Sequence, residues 1–420
     1  MKLAFVGTYE QEGGAARAAV RLREAFTLAG VTSTMFVLQR SGAGEGVVGP
    51  VGNAGRLRAR IRWQIDQFPA QVFGFKRGEF SVNWLGSGLQ RSLSAFAPDI
   101  VHLHWINAGY VSLGEIESLD LPVVWTAHDM WPFTGGCHYD SGCGRYVGSH
   151  CVHCPLQTHG RAIEVASSRL KRKVSACEAS DIAFVCPSRW LGDVARASPV
   201  GAGRQVDVIP NCIDLDRYRP IDRAAARDLF GLAHDEIIIL FGALRSQSDP
   251  RKGFEQLDAA LRSVAATWRG AKISLCVFGT AKRGISSLHG IPVRNMGHLH
   301  DDESLIALYS AADIFVAPSL QDNLPNTVLE AAACGLPTVA FNVGGMSDLI
   351  EHEATGWLAP AGDASSLADG ISAFLASRAW RVRAGAAARE AAASRFSYKT
   401  VAASYLAVYE RLLTHGKRAT

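Results

Sequence analysis

Short, nearly continuous apolar runs alternate along most of the chain with longer stretches whose apolar positions recur every three or four residues. Parallel βαβ units produce this pattern, because their strands are buried on both faces while the covering helices bury one. The pattern predicts strands at 2–6, 34–38, 100–104, 123–127, 182–186 and 206–209, with a glycine turn and a helix over 15–28 after the first. Beyond Pro210 the alternation restarts: helix 223–231, strand 237–242, helix 253–267, strand 272–278, helix 302–311, strand 313–317, helix 326–334 and strand 337–341. The stretch 364–414 is alanine-rich, lacks a strand signal and is helical by propensity, with a break expected at 394–398. Two Rossmann-like, doubly wound α/β halves follow, joined by a hinge near 200–215. Sheets of this kind bind ligands beyond the carboxyl ends of their strands, so the cleft between the lobes is the expected active site.

At 420 residues the chain exceeds one ordinary core. The expected domains are 1–205, with a cysteine-rich insertion at 135–156, then 206–395, and a C-terminal helix at 396–420 packing back on the first. The 48% hydrophobic and 20% charged content excludes a disordered or collagen-like chain. A formal net charge of +4 gives no reason to expect nucleic acid as a partner. The start, MKLAFVGTYEQEGG, has too few apolar residues for an export signal, and the longest strong apolar run, 237–244, is far short of a membrane span. The expectation is a cytoplasmic protein whose membrane contact, if any, is peripheral.

The most informative chemistry lies in 317–345, APSLQDNLPNTVLEAAACGLPTVAFNVGG. A strand leads into a polar loop, Pro325 and Asn326 open a helix, and Gly335-Leu336-Pro337 ends it. Unpaired amides of Asn326, Thr327 and Val328 would favour an anionic ligand such as a diphosphate. Asp322 and Glu330 place a carboxylate at each end of that cradle, and Glu330 suits two ribose hydroxyls.

This stretch, with Asp322 and Glu330 separated by seven residues and DLIEHEATGWLAP following at 348–360, resembles the family 4 glycosyltransferases of GT-B fold. The resemblance implies an enzyme that transfers a sugar from a nucleoside-diphosphate sugar with retention of configuration and without an obligatory catalytic metal. It implies that 206–395 binds the donor and 1–205 the acceptor, with Asp322 at the donor sugar and Glu330 at the ribose. Position 322 carries Asp where the family has Glu, one methylene longer. Arg251-Lys252-Gly253 after the strand at 237–242 resembles the element whose lysine, here Lys252, neutralises the donor phosphates. The family's arginine is replaced by Ala243, leaving Arg245 or Arg251 as substitutes. His298 falls in the loop that meets the nucleobase, and His128, at the end of the strand at 123–127, falls where the family sets a histidine against the donor sugar. Gly13-Gly14 opens the first helix, so the Gly14 amide can approach a phosphate without a side chain between. The missing G-x-G-x-x-G spacing argues against a nicotinamide enzyme.

Cys137, Cys143, Cys151 and Cys154 are spaced C-x5-C-x7-C-x2-C in a glycine-rich segment with little apolar content. Four thiolates can hold a structural zinc ion, with His138, His150 or His153 able to replace one; free or disulfide-linked cysteines are the alternative. The segment resembles a subgroup of these transferases that serves exopolysaccharide and colanic-acid-type assembly, which implies a saccharide or lipid-linked saccharide acceptor. Arg56, Arg58, Arg60 and Arg62 precede Trp63, Phe68, Phe73 and Phe75, a mixture suited to the anionic inner face of a membrane or to an ordinary solvated helix. A noncatalytic nucleotide-sugar sensor and an epimerase or phosphorylase of the same fold are the rival functions.

Overall fold

A computed structural model of the chain describes residues 1–416, apart from 43–44, 77, 149, 161–162, 243–248, 280–285 and 300. The chain forms two compact units, one of 1–212 together with 401–420, the other of 213–400.

The first unit carries a seven-stranded parallel sheet: β1 (Lys2–Tyr9), β2 (Thr32–Gln39), β3 (Val47–Val48), β4 (Ile100–Leu103), β5 (Val123–Thr126), β6 (Ile182–Cys186) and β7 (Val206–Val208), in the order β3-β2-β1-β4-β5-β6-β7. Its central strands are buried on both faces, which is why they read as apolar runs. The unit extends to Cys212 rather than 205, because Val206–Val208 pairs with β6 through Val185 and Cys186. Tyr405 and Tyr409, from the helix Tyr398–Gly416, are buried here: the Tyr405 hydroxyl lies 3.0 Å from Thr126 Oγ1, and that of Tyr409 lies 2.7 Å from His102 Nδ1. Each buried phenol thereby satisfies a polar group at the edge of β4 or β5.

The second unit's sheet comprises β8 (Ile237–Gly242), β9 (Ile273–Phe278), β10 (Ser287–Leu288), β11 (Ile291–Gly297), β12 (Ile314–Ala317), β13 (Thr338–Phe341) and β14 (Gly356–Ala359). The order is β10-β11-β9-β8-β12-β13-β14, with only β10 antiparallel among the described strands. Sequence pattern did not predict β11, which lies towards the sheet edge with Pro292 and Asn295 exposed, so it lacks a buried strand's continuous apolarity. At the amino ends of β8 and β12 the buried Asp313 carboxylate accepts from the Ile238 amide at 2.8 Å and from Arg227 at 2.8 Å, and it pairs with Arg223. This clamp is remote from the strand ends where ligands bind. The alanine-rich tail forms three helices, Ala364–Ala376, Arg378–Arg395 and Tyr398–Gly416; the break at Phe396 and Ser397 is where Phe396 accepts from the Ile213 amide at 2.9 Å.

In the first sheet the strand order reverses between β1 and β4, in the second between β8 and β12. Beyond these switch points the helix crossovers part, so both carboxyl ends are natural crevices.

Candidate functional site

At the β8/β12 switch point a crevice of about 260 Å³, counting its open mouth, is lined by Phe241 and Gly242 from β8, Val316 and Ala317 from β12, and Lys252, Ser319, Asp322, Pro325 and Thr327 from the loops that follow. The Lys252 ammonium donates to Asp322 Oδ2 at 2.6 Å, and both side chains are largely buried. Asp322 also accepts from the Ser319 hydroxyl at 3.4 Å and, through Oδ1, from the Asn323 amide at 3.1 Å.

Two glycines make this geometry possible. Gly253 has φ +70, and a Cβ on it would lie 1.8 Å from the Pro318 carbonyl oxygen, so only glycine lets the Pro250–Lys252 turn close onto the β12 loop. Gly344, at φ +54, would place a Cβ 1.7 Å from the Asp322 carbonyl oxygen. Both flanks of Asp322 are thus held by backbone contacts that no side chain tolerates.

The helix Asn326–Ala333 starts with Pro325 at its N-cap, where no side chain caps the first amides. One expectation is corrected here: the Val328 amide donates to the Pro325 carbonyl at 3.1 Å and the Val328 side chain is buried, so the cradle is narrower than 326–328. Thr327 lines the crevice, and Asn326 opens the helix beside it. Glu330 is buried at 1% exposure and accepts from the Tyr309 hydroxyl at 3.0 Å. Burial, then the neighbouring Glu330, push Tyr309 well above a phenol's usual pKa, so it remains a donor at every working pH. Sequence reasoning missed Tyr309, whose place on an apolar helix face reads as core.

Arg251 turns to Asp249, with 2.6 Å between Nη2 and Oδ2, and its carbonyl accepts from the Leu320 amide at 2.7 Å. His298 is exposed beyond β11, outside the crevice lining. Arg245 lies outside the described residues.

In the first unit the carboxyl ends of β4 and β5 bring imidazoles together. His104 Nδ1 lies 3.0 Å from His128 Nε2, and His102 Nε2 lies 2.8 Å from Thr126 Oγ1. His104 and His128 line a crevice of about 200 Å³ with Thr126, Asn211, Cys212 and Tyr405. Burial pushes His128 down to about 4, against the pull of Asp129, and pushes His102 and His104 well below the ordinary value. All three rings are therefore neutral at pH 7. His104 Nε2 is buried without a partner. An orphaned N–H costs more than an orphaned lone pair, so the His104 proton sits on Nδ1 and is donated to His128 Nε2. Gly14 begins the helix Gly14–Leu28, which has no side-chain cap either.

Asp129, next in sequence, serves another network. Burial alone would raise its pKa, but His138 Nδ1 at 2.7 Å, the Trp131 amide and the Trp105 indole hold it below the carboxylate norm. His138 Nε2 lies 2.9 Å from Ser81 Oγ, so both nitrogens of that ring are engaged and it is not a spare ligand for a metal. His104 was not singled out as a site residue from sequence, and His138 only as a possible metal ligand; polar residues at alternating positions 102 and 104, in and just beyond an otherwise apolar strand, were the available signal for His104.

Cys137 and Cys151 are buried, while Cys143 and Cys154 are half-buried. Burial, then the nearby thiols of the set, push Cys137 up to about 12, and burial pushes Cys151 up to about 11. All four are free thiols. Among the described residues no three His, Cys, Asp or Glu side chains are grouped to hold a metal ion, so the thiols as arranged are not a formed zinc centre.

Residues 12–217 match the family model described as Glycosyltransferase Family 4, and residues 235–377 match that of glycosyl transferases group 1. Each half of the chain thus resembles a glycosyltransferase domain. The D-inositol 3-phosphate glycosyltransferase of Nocardia farcinica is 29% identical to this protein over 350 residues, 76% of this chain and 68% of that protein. The match to the equally named protein of Mycobacterium bovis spans 65% of that protein's length. The sucrose-phosphate synthase of Thermosynechococcus elongatus superposes with a TM-score of 0.71 at 22% identity, covering 99% of this chain and 100% of that one. HepE of Anabaena, solved with UDP and glucose, gives 0.65 at 17% identity, covering 98% and 100%. These structural likenesses establish the GT-B fold for the chain.

Proposed function

We propose that the chain is a retaining glycosyltransferase that moves a sugar from a nucleoside-diphosphate sugar to a saccharide or lipid-linked saccharide acceptor in polysaccharide assembly. The observation that carries the reading is the Lys252–Asp322 pair, set in the β8/β12 crevice beside a helix start that a proline cannot cap. HepE, a protein of the same fold, is described in complex with UDP and glucose, which favours a nucleotide sugar as donor here too.

In this reading the bond between the anomeric carbon and the phosphate oxygen breaks, and its electron pair leaves with the nucleoside diphosphate. Lys252 and the amides at the start of helix Asn326–Ala333 meet the developing negative charge. The acceptor hydroxyl attacks the same face through an oxocarbenium-like state and passes its proton to the departing phosphate. Asp322 orients the sugar hydroxyls, Glu330 takes the ribose, Gly14 approaches the phosphate, and neutral His128 offers a hydrogen bond rather than a charge. The scheme requires no catalytic metal. The protein works at the cytoplasmic face of a membrane.

Titration of purified protein with a panel of nucleotide sugars, followed by mass analysis of transfer onto saccharides and lipid-linked saccharides, tests the proposal. Transfer that disappears in Asp322→Asn protein with a native fold is the expected result. Donor binding without transfer would support a sensor, and altered sugar released without acceptor would support an epimerase. The C-x5-C-x7-C-x2-C spacing, rather than the arrangement of the thiols, keeps Cys137, Cys143, Cys151 and Cys154 as the proposed donor set for a structural zinc; about one zinc per chain in protein purified without added metal is expected, and none would remove it.

A further inference from the structure

The helix Gly52–Val72 in the first unit turns an apolar stripe outward. Its buried side consists of Gly55, Ala59, Asp66, Gln67 and Ala70. On the opposite side Leu57, Ile61, Ile65, Phe68 and Val72 are exposed, with Leu57 at 59% and Phe68 at 65%. At 3.6 residues per turn these five fall within an arc of about 80°. Such a contiguous exposed stripe marks an interaction surface rather than scattered exposed leucines.

The charge beside the stripe has one sign. Arg58 and Arg60 flank the stripe and are exposed, Arg56 lies round on the other side with its guanidinium donating to Asn53 Oδ1 at 2.8 Å, and the helix's single acidic residue, Asp66, is fully buried. Arg62 belongs elsewhere: it donates to the Gly109 carbonyl at 2.8 Å and the Gly86 carbonyl at 2.6 Å, pinning the helix to the unit. Trp63 and Phe73 are half-buried, and Phe75 is buried with its ring stacked 3.9 Å from that of Phe80, so those aromatics are packing residues. Trp84, whose amide donates to Asp66, adds an exposed indole beside the helix.

We infer that the outward face of helix Gly52–Val72 docks on an anionic lipid bilayer, Leu57, Ile61, Ile65, Phe68 and Val72 entering the acyl boundary while Arg58 and Arg60 meet the headgroups. Apolar stripe and unopposed cations are the two parts that lie-flat membrane helices combine. The inference deepens the reading of a lipid-linked acceptor, yet rests on exposure and charge rather than on donor chemistry.

Flotation of the full chain with vesicles of phosphatidylcholine, alone or mixed with phosphatidylglycerol, tests it. The unaltered protein should float with the mixed vesicles. Replacing Arg58 and Arg60 by Gln together should weaken that binding about 25-fold, near fivefold for each cation. The triple change L57S, I61S and F68S, all on exposed positions, should abolish flotation while leaving thermal unfolding and nucleotide binding unchanged. Unaltered protein that stays off anionic vesicles, or a serine variant that floats as well as the original, would overturn the inference. So would a concentration-dependent dimer that the serine variant dissolves without any vesicle binding, since the stripe would then belong to a second copy. Nucleotide titration of the same samples separates the two readings: intact donor binding without flotation discards the membrane face alone.

Discussion

At the ends of β4 and β5 three imidazoles that face one crevice or its floor, His102, His104 and His128, are kept neutral by burial; at the ends of β8 and β12 a lysine and an aspartate meet 2.6 Å apart as an ion pair. Two copies of one architecture thus carry different chemistry at their strand ends. Neutral rings recognise hydroxyls through hydrogen bonds, which salt screens little. Ions recognise phosphate, and there a positioned charge stabilises a leaving group more than a neutral donor would. Acid should therefore damage the first unit, whereas loss of a charge or added salt should damage the second.

The largest test of the contrast removes the cation. Lys252→Ala should lower kcat/KM by about 10²–10³-fold, with far-UV circular dichroism unchanged. A loss under tenfold would mean that the diphosphate is held elsewhere.

The next effect is on stability. The folded value for His128, about 4, lies below the ordinary 6.5, so the unfolded chain takes the proton first as pH falls. Its contribution is complete above pH 6.5 and is lost towards pH 4, amounting to about 3 kcal/mol. Hydrogen exchange, corrected for intrinsic pH dependence, should show β4 and β5 losing protection over that window while β8 and β12 hold. His128→Gln should flatten the profile; equal losses in both units would erase the distinction.

Asp66 titrates in the opposite sense. Burial raises it to about 6 against the pull of the Trp84 amide, so the fold favours its neutral form and loses stability as pH rises through 6. Asp66→Asn should stabilise the protein at pH 7 by about 1–2 kcal/mol, once the unpaired amide hydrogens are set against the removed charge. That gain should vanish below pH 4 in urea titrations. The smallest expected effect is a several-fold weakening of nucleoside-diphosphate binding between low and high salt, measured by calorimetry. Insensitivity to salt would argue that the Lys252 charge is not shared with the ligand.

Much of this was legible in the chain. The central strands could be read because burial on both faces leaves apolar runs, and Asp322, Lys252 and Glu330 because their spacing and the flanking glycines are distinctive. Strand β11, second from the sheet edge, was not, since exposed Pro292 and Asn295 dilute its apolarity. Pairings across elements were equally hidden. Nothing in the order of residues says that Tyr309 reaches Glu330 or that His104 meets His128; those contacts arise from helix and strand placement. The Val328 amide was misjudged because a helix's third amide can fold back onto its own cap carbonyl.

The chain leaves the first unit at 212 and re-enters it at 401. A ribosome would therefore release every strand of the amino-terminal sheet long before Tyr405 and Tyr409 emerge to cover Thr126 and His102. The half synthesised first is the half finished last, and a single nick near residue 400 would undo it without touching any of its strands.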